Sequence, residues 1–600
     1  MSTAILTGSP VPGSSLEGDL GDLGFQVRTA ASAAEAGELL AAVPAGERVA
    51  LVDPGFVGHV HALRLALTDP RFPAGAVPGA LSVQPAARRT LLRAVGEASG
   101  DALAVDSVAD RIDVELTAEG SQLYRPELGS LVATVPAGPE QRDEAASAVA
   151  AVDDEAVRLR TAVKSRDGFF TTYCISPYSR YIARSCARRG LTPNQVTTAS
   201  LITALIAAGC AATGTRGGFV AAGVLLLFSF VLDCTDGQLA RYSLQYSTLG
   251  AWLDATFDRA KEYAYYAGLA LGAARGGDDV WALALGAMVL QICRHVVDFS
   301  FNEAHADSIV ANANTSPTAA LSGRLDSVGW TVWLRRMIIL PIGERWALIA
   351  VLTALTTPRI TFYVLLIGCA FAACYTTAGR VLRSLTRRAG RTDRAAQALA
   401  DLADSGPLAT VIARFGRGVP AVKLLPPVLA LAGGAIVVGC AFADDALTLV
   451  IGAVLYVLLA SLAVARPLKG PLDWLVPPFF RAAEYGTILV LAARAEVNGA
   501  LPAAFGLVAA VAYHHYDTVY RIRGGTGAPP HWLVRVIGGH EGRTLVVAIA
   551  AAVLSAQGFT VTLTALAVAV ALVVLFESIR FWVSAGKRGA PAVHDEGEPA

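Results

Sequence analysis

Asp233-Cys234-Thr235-Asp236-Gly237-Gln238-Leu239-Ala240-Arg241, then eight residues, then Gly250-Ala251-Trp252-Leu253-Asp254-Ala255-Thr256-Phe257-Asp258: this stretch decides how the chain reads. Four carboxylates, two glycines and one arginine lie inside apolar, helix-forming sequence. A charge at the centre of a bilayer costs about 2.5–3.5 kcal/mol on insertion scales, so such residues mark sites. Asp233 and Asp236 are three apart and Asp254 and Asp258 four apart, so each pair shares one helix face. Two such helices facing each other gather four carboxylates around one point. That is an oxygen nest for a hard divalent cation, Mg2+ or Mn2+, which draws its remaining ligands from water and substrate phosphates.

The surroundings set the class. The chain has 600 residues, 54% of them hydrophobic and 16% charged, with a mean hydropathy of +0.50. A polytopic α-helical membrane protein is expected. The net charge of zero leaves no basic surplus for nucleic acid. The eight cysteines show no metal or redox spacing, and most lie in apolar runs where cysteine packs as a small hydrophobe. No basic segment precedes an apolar core at the N-terminus, so no cleavable signal peptide is expected.

Residues 1–150 differ in kind. Short β-like runs (Thr3 to Thr7, Phe25 to Thr29, Arg48 to Asp53) alternate with helical runs (Ala31 to Ala42, Ala86 to Glu97), the rhythm of a soluble α/β domain with a mostly parallel sheet. Residues 151–192 read as a connector plus an amphipathic interfacial helix, in which Tyr178, Tyr181 and Ile182 share a repeat with Arg180, Arg184, Arg188 and Arg189. Residues 193–388 form a first membrane domain, with spans near 195–214, 218–243, 247–273, 279–300, 339–357 and 359–384. The polar stretch 301–335 reads as a loop insertion. Arginines before the first span, and Arg383, Arg387, Arg388, Arg391 and Arg394 after the sixth, set that side as cytoplasmic.

Residues 389–420 read as a cytoplasmic linker and 421–585 as a second membrane domain, with spans near 424–443, 446–466, 474–497, 499–520, 543–558 and 560–583. The third is weak, because Arg481, Glu484, Arg494 and Glu496 interrupt it. Residues 586–600 read as a disordered tail. The second domain carries two polar islands, His514-His515-Tyr516-Asp517 with Arg521, and His540-Glu541 with Arg543. A second phosphate or metal site competes there with the commoner roles of interfacial anchoring and helix capping.

Asp-x2-Asp-Gly-x2-Ala-Arg-x8-Gly-x3-Asp-x3-Asp is the signature of the CDP-alcohol phosphotransferases, and Asp233 to Asp258 resembles it at every fixed position. The resemblance covers about residues 165–390. It implies a six-helix core and transfer of a phosphoalcohol group from a CDP-alcohol to an acceptor hydroxyl, with release of CMP. It implies metal ligation by Asp233, Asp236, Asp254 and Asp258, with Asp258 as general base, and phosphate binding by Arg241. Gly237 and Ala240 would let the nucleotide approach, with Asn194, Gln195, Thr197 and Ser247 contributing to its site. Intramembrane cations Arg259, Lys261, Arg294 and Arg380 are acceptor-binding candidates, charge balance being the alternative.

The donor is then CDP-diacylglycerol or CDP-inositol and the acceptor a polyol or polyol phosphate such as inositol phosphate. The product is a phospholipid or, alternatively, a soluble di-inositol phosphodiester. A transporter or membrane scaffold is the reading from another class. The resemblance further implies a homodimer in the inner cell membrane, with the active site and N-terminal domain on the cytoplasmic side. The domain order resembles a fusion behind a sugar-phosphate nucleotidyltransferase. However, the loop Gly8 to Ser15 lacks a basic residue and no lysine occurs before Lys164, so that domain is expected to be inactive.

Overall fold

Three polar caps start the helices that build the site. Thr192 and Gln195 form a reciprocal capping box ahead of Pro193, opening the helix Pro193–Ala212. Thr215 caps Arg216–Ser243 and Ser247 caps Thr248–Arg275, each by accepting a backbone N–H three residues on. Such a cap contributes about 1 kcal/mol and fixes the register of the first turn. Leu244, at φ 51°, ends the second helix and turns the chain into the third.

Small residues bring these helices close. A Cβ on Gly268 would lie 2.4 Å from the Ala208 carbonyl oxygen, and one on Gly272 would lie 2.0 Å from that of Ala211. Glycine there allows the close backbone approach that drives helix association in lipid. Ser200 and Ser229 exchange buried hydrogen bonds between the first two helices. Trp281–Ala311, Ile342–Leu355 and Pro358–Thr386 complete the first bundle.

The computed structural model describes residues 2–44, 46–69, 72–97, 104–118, 123–164, 167–311, 339–386, 391–416 and 424–587. The expected loop insertion 301–335 begins as the last turns of the Trp281–Ala311 helix, and its remainder lies outside the described residues. Of the expected tail, residues 586 and 587 end the last helix, and the rest also lies outside.

The second bundle comprises Leu425–Cys440, Ala446–Ala463, Val476–Arg494, Ala500–Arg523, the pair His531–Ile537 and Gly539–Val553, and Ala556–Lys587. Gly538, at φ +84°, breaks that pair. The helix Trp281–Ala311 of the first bundle packs against Val476–Arg494 and Ala500–Arg523 of the second, and one apolar core runs through both.

Twelve spans were expected, and eight helices among the described residues are long and apolar enough to cross a membrane. The other four expected spans are helices too. Ile342–Leu355 and Leu425–Cys440 are short, at 14 and 16 residues, while Thr248–Arg275 carries many charges and Ala500–Arg523 ends in a polar stretch from His514 to Arg523. The span expected to be weak, 474–497, is among the eight as Asp473–Arg494. Its Arg481 and Glu484 are buried and paired inside the bundle rather than facing lipid.

Of the linker expected at 389–420, the described residues 391–416 are largely helical. Asp393–Ala403 and Pro407–Phe415 are helices, and Asp404 between them is buried in the second bundle. Their alanine- and leucine-bearing faces pack on the membrane helices, so polar sequence alone misjudged them.

The N-terminal α/β domain has a five-stranded sheet in the order 25–29, 2–6, 49–52, 80–83, 74–77. The first two pairings are parallel and the last two antiparallel, so the sheet is mixed rather than mostly parallel. The missed hairpin, Ala74–Val77 and Ala80–Val83, is built from small residues of weak β preference around Pro78-Gly79. This domain sits on the end of the helix Arg216–Ser243: Arg64 donates to the Ser243 carbonyl at 2.6 Å, and Leu244 packs on its apolar face.

Candidate active site

Asp233 and Asp236 stand near the end of one helix and Asp254 near the start of the next, on facing sides. One carboxylate oxygen from each lies within 4.8 Å of those of the other two, and no other group of described histidine, cysteine or acidic residues meets that condition. Asp236 Oδ2 is buried with no hydrogen-bond partner among the described residues. Thr197 stands beside it, with its hydroxyl donating to the Pro193 carbonyl at 3.1 Å. An orphaned carboxylate oxygen beside two further carboxylates fits a divalent cation bound by oxygen ligands.

Asp258 lies one turn further along and is placed differently. Its Oδ1 is 2.9 Å from Lys261 Nζ, and the same ammonium pairs with Asp233 and donates to Ser200 Oγ at 3.1 Å. Lys261, fully buried, therefore ties Asp258 to Asp233 of the carboxylate cluster. Lys261 was a candidate either for meeting an acceptor or for balancing the aspartates, and its pairing with Asp233 and Asp258 is the charge-balancing arrangement. Its position three residues after Asp258, one helical turn, was the available signal.

Two of the expected nucleotide residues, Asn194 and Ser247, meet beside Gly250. A Cβ on Gly250 would lie 2.6 Å from Asn194 Oδ1 and 2.8 Å from Ser247 Oγ, so Asn194, Ser247 and Gly250 share one small space. Ser247 Oγ accepts the Gly250 N–H at 2.9 Å. Gln195 stands apart, because its side-chain oxygen accepts the Thr192 N–H at 2.9 Å in the capping box. Gly237 faces the Arg241 guanidinium, 3.5 Å from where a Cβ would sit. Arg241 Nε donates to the Ala162 carbonyl at 2.6 Å, which anchors the side chain to the connector. Ala240 lies on the same helix, and its carbonyl accepts the Gln245 N–H at 3.0 Å.

The remaining acceptor candidates do not gather into one open pocket. Arg294 donates to the Ile339 carbonyl and Arg380 pairs with Asp298. Arg259 is closest to the carboxylates in sequence and stands between Glu262, at 3.5 Å, and the ring of Tyr516, whose centroid is 5.3 Å away. Its Nε and Nη1 are buried without a hydrogen bond among the described residues. Glu262, which sequence reading passed over, takes Arg345 in a bidentate pair at 2.9 and 3.2 Å.

The two polar islands of the second bundle are neither interfacial anchors nor a ligand cluster of the kind Asp233, Asp236 and Asp254 form. His514, His515, Asp517, His540, Glu541 and Arg543 are all at most 3% exposed. Asp517 accepts from Ser578 at 2.7 Å and Trp582 at 2.6 Å, and pairs with Arg521 at 2.8 Å. His540 shares a hydrogen bond with the Tyr456 hydroxyl at 2.7 Å.

Comparison with known proteins divides the chain at the same place as the two bundles. Residues 190–373 match the family model described as CDP-alcohol phosphatidyltransferase. Residues 393–600 match a family of unknown function, DUF5941. A phosphatidylinositol phosphate synthase of Streptomyces avermitilis is 34% identical over 110 residues, which is 18% of this chain and 43% of that protein. A protein of the same name from Mycolicibacterium smegmatis is 32% identical over 131 residues, 22% of this chain and 58% of its own length. A bifunctional IPC transferase and DIPP synthase of Thermococcus kodakarensis is 34% identical over 113 residues, covering 19% and 25%. The matched segment thus spans between a quarter and three fifths of these relatives.

Proposed function

We propose, for a chain whose residues 190–373 belong to the CDP-alcohol phosphatidyltransferase family, a multi-pass membrane enzyme that moves a phosphoalcohol group from a CDP-alcohol to an acceptor hydroxyl and releases CMP. The observation that carries this reading is the convergence of Asp233, Asp236 and Asp254 within 4.8 Å, with a buried orphan oxygen on Asp236. A divalent cation bound there would act as a Lewis acid and template, joining the carboxylates to phosphate oxygens they would otherwise repel. Mg2+ is the ion we assign, with Mn2+ as a substitute.

The chain's own residues divide the remaining work. Asn194, Ser247 and Gly250 shape the end of the site that receives the cytidine nucleotide. Arg241, anchored through Nε, leaves its terminal nitrogens beside Gly237, where a phosphate can meet backbone and guanidinium together. Asp258 takes the proton from the acceptor hydroxyl as that oxygen attacks the β-phosphorus. The bond from that phosphorus to the bridging oxygen breaks, and CMP leaves. Lys261 fixes the Asp258 carboxylate for this step by their 2.9 Å ion pair.

The acceptor is a polyol phosphate, and inositol phosphate is the first choice. Two relatives bear the name phosphatidylinositol phosphate synthase, and Arg259 Nε, buried without a hydrogen bond among the described residues, is a donor suited to an anionic group. CDP-diacylglycerol is the corresponding donor. CDP-inositol with inositol phosphate is the second reading, supported by the relatives named bifunctional IPC transferase and DIPP synthase. The site faces the cytoplasm on the arginine distribution around the first and last spans of this domain.

The test is CMP release by the purified full-length protein with Mg2+, using both donors against polyols and their phosphates. Release with one pair, lost in EDTA and in Asp236→Ala, supports the reading and names the substrates. Release that survives EDTA and Asp236→Ala contradicts it.

A further inference from the structure

Residues 393–600 match a family of unknown function, yet a segment at the third helix of the second bundle repeats one of the first bundle. Trp252-Leu253, Phe257, Arg259-Ala260 and Glu262-Tyr263 recur at identical spacing as Trp474-Leu475, Phe479, Arg481-Ala482 and Glu484-Tyr485. The contacts recur with the residues. Glu262 takes Arg345 through Nε and Nη2 at 2.9 and 3.2 Å, and Glu484 takes Arg543 through the same two nitrogens at 2.6 and 3.2 Å. Each glutamate also meets the arginine three residues earlier, at 3.5 Å for Arg259 and 3.0 Å for Arg481.

A second contact recurs beside the first. Glu344, next to Arg345, accepts the Phe170 N–H at 3.3 Å, while Glu541, two residues from Arg543, accepts those of Gly406 and Ala409 at 3.1 and 3.0 Å. A glycine admits the carboxylate in both places: a Cβ would come 2.5 Å from Glu344 at Gly168 and 2.8 Å from Glu541 at Gly406. Helix neighbours agree as well. In each bundle the first helix packs on the second and third, the second on the fifth, and the fourth on the sixth. Shared spacing, shared pairing geometry and shared helix order together point to duplication rather than chance.

The metal ligands are what the copy lacks. Val476 and Phe480 occupy the positions of Asp254 and Asp258, Ala483 that of Lys261, and the helix Ala446–Ala463 contains no acidic residue. The centre of the copy is filled from within. The Phe480 ring stacks on His540 at 4.1 Å, and the Asp404 carboxylate pairs with His514, Arg481 and Arg543 at 3.0, 3.0 and 2.9 Å. The copy instead reaches the first bundle beside its carboxylates. Trp582 stacks on Trp252, two residues before Asp254, with centroids 5.9 Å apart. The Tyr516 hydroxyl shares hydrogen bonds with His295 Nδ1 at 2.7 Å and the Tyr263 hydroxyl at 3.2 Å, under the guanidinium of Arg259.

We propose that residues 404–584 are a duplicated transferase bundle, emptied of its metal ligands, and retained as a fixed partner whose Trp582 and Tyr516 position the helix carrying Asp254 and Asp258. The binding part of this proposal rests on the metal site assigned above. The test counts Mn2+ and CMP bound to the purified full-length chain by equilibrium dialysis. All binding is expected to vanish in Asp236→Ala. Trp582→Ala is expected to weaken Mn2+ about tenfold, the scale of a lost supporting contact around a metal site, with Trp582→Phe recovering most of the loss. Tyr516→Phe, which keeps the ring, is expected to lose a smaller factor. A Mn2+ or CMP site that survives Asp236→Ala would overturn the proposal, as would wild-type affinity in both Trp582→Ala and Tyr516→Phe. A wild-type chain that binds no Mn2+ fails the metal assignment instead. The partner role is then decided by thermal unfolding of Trp252→Ala, Trp582→Ala and the double variant. A double loss smaller than the sum of the two single losses supports it, and a simple sum overturns it.

Discussion

The first bundle keeps Glu262 and Arg345 beneath a face of carboxylates, and the second keeps Glu484 and Arg543 beneath a valine and a phenylalanine. Both pairs are buried, bidentate and set between the same two helices of their bundle. The contrast separates what the fold needs from what the chemistry needs. A buried ion pair that persists where the metal ligands are gone belongs to helix packing. The carboxylates of Asp233, Asp236, Asp254 and Asp258, which the second bundle lacks, are the ones we assign to the reaction.

The largest effect should come from the residue with no counterpart role in packing. Asp236→Ala should lower CMP release by on the order of 10^3-fold or more, with the unfolding temperature little changed, read in the same preparation. Ablating both activity and stability equally would blur the contrast. Next, Glu262→Gln and Glu484→Gln should each cost about 3–5 kcal/mol of stability, because each strands a buried arginine. Thermal unfolding of the two variants in one detergent checks this, and kinetics sharpen it: Glu262→Gln should also change kcat, while Glu484→Gln should leave the surviving folded enzyme near wild type.

A smaller effect is expected at Gly250. An added Cβ would crowd Asn194 and Ser247 at 2.6 and 2.8 Å, so Gly250→Ala should raise the KM for the CDP-alcohol about tenfold while costing stability about 1 kcal/mol. The second bundle already carries Leu472 at the corresponding position, in keeping with a cleft that receives no nucleotide. The smallest effect belongs to Tyr516→Phe, which removes one hydroxyl from the contact between bundles. The cost should be about 1 kcal/mol, seen as a few-fold change in kcat/KM.

Much of this was legible in the sequence. The spacing of Asp233, Asp236, Asp254 and Asp258 placed both pairs on facing helices, and Thr192-Pro193 marked the start of the first span. Lys261 was left between two roles because a cation among carboxylates can brace them or meet a substrate, and spacing along one helix does not decide which. The burial of Asp404 was hidden because it depends on helices more than a hundred residues away in sequence, those holding His514 and Arg543. The duplication was present in the letters around Trp252 and Trp474. It was obscured because the motif that draws attention, the four aspartates, is the part the copy lacks.

The measurement that bears most directly on the account is single-turnover CMP release by Asp258→Asn beside wild type, with Mn2+ and nucleotide binding recorded on the same samples. The account predicts that both ligands still bind while release falls by about 10^2–10^4-fold, the contribution of a positioned general base. Release at the wild-type rate from a protein with unchanged binding would contradict it.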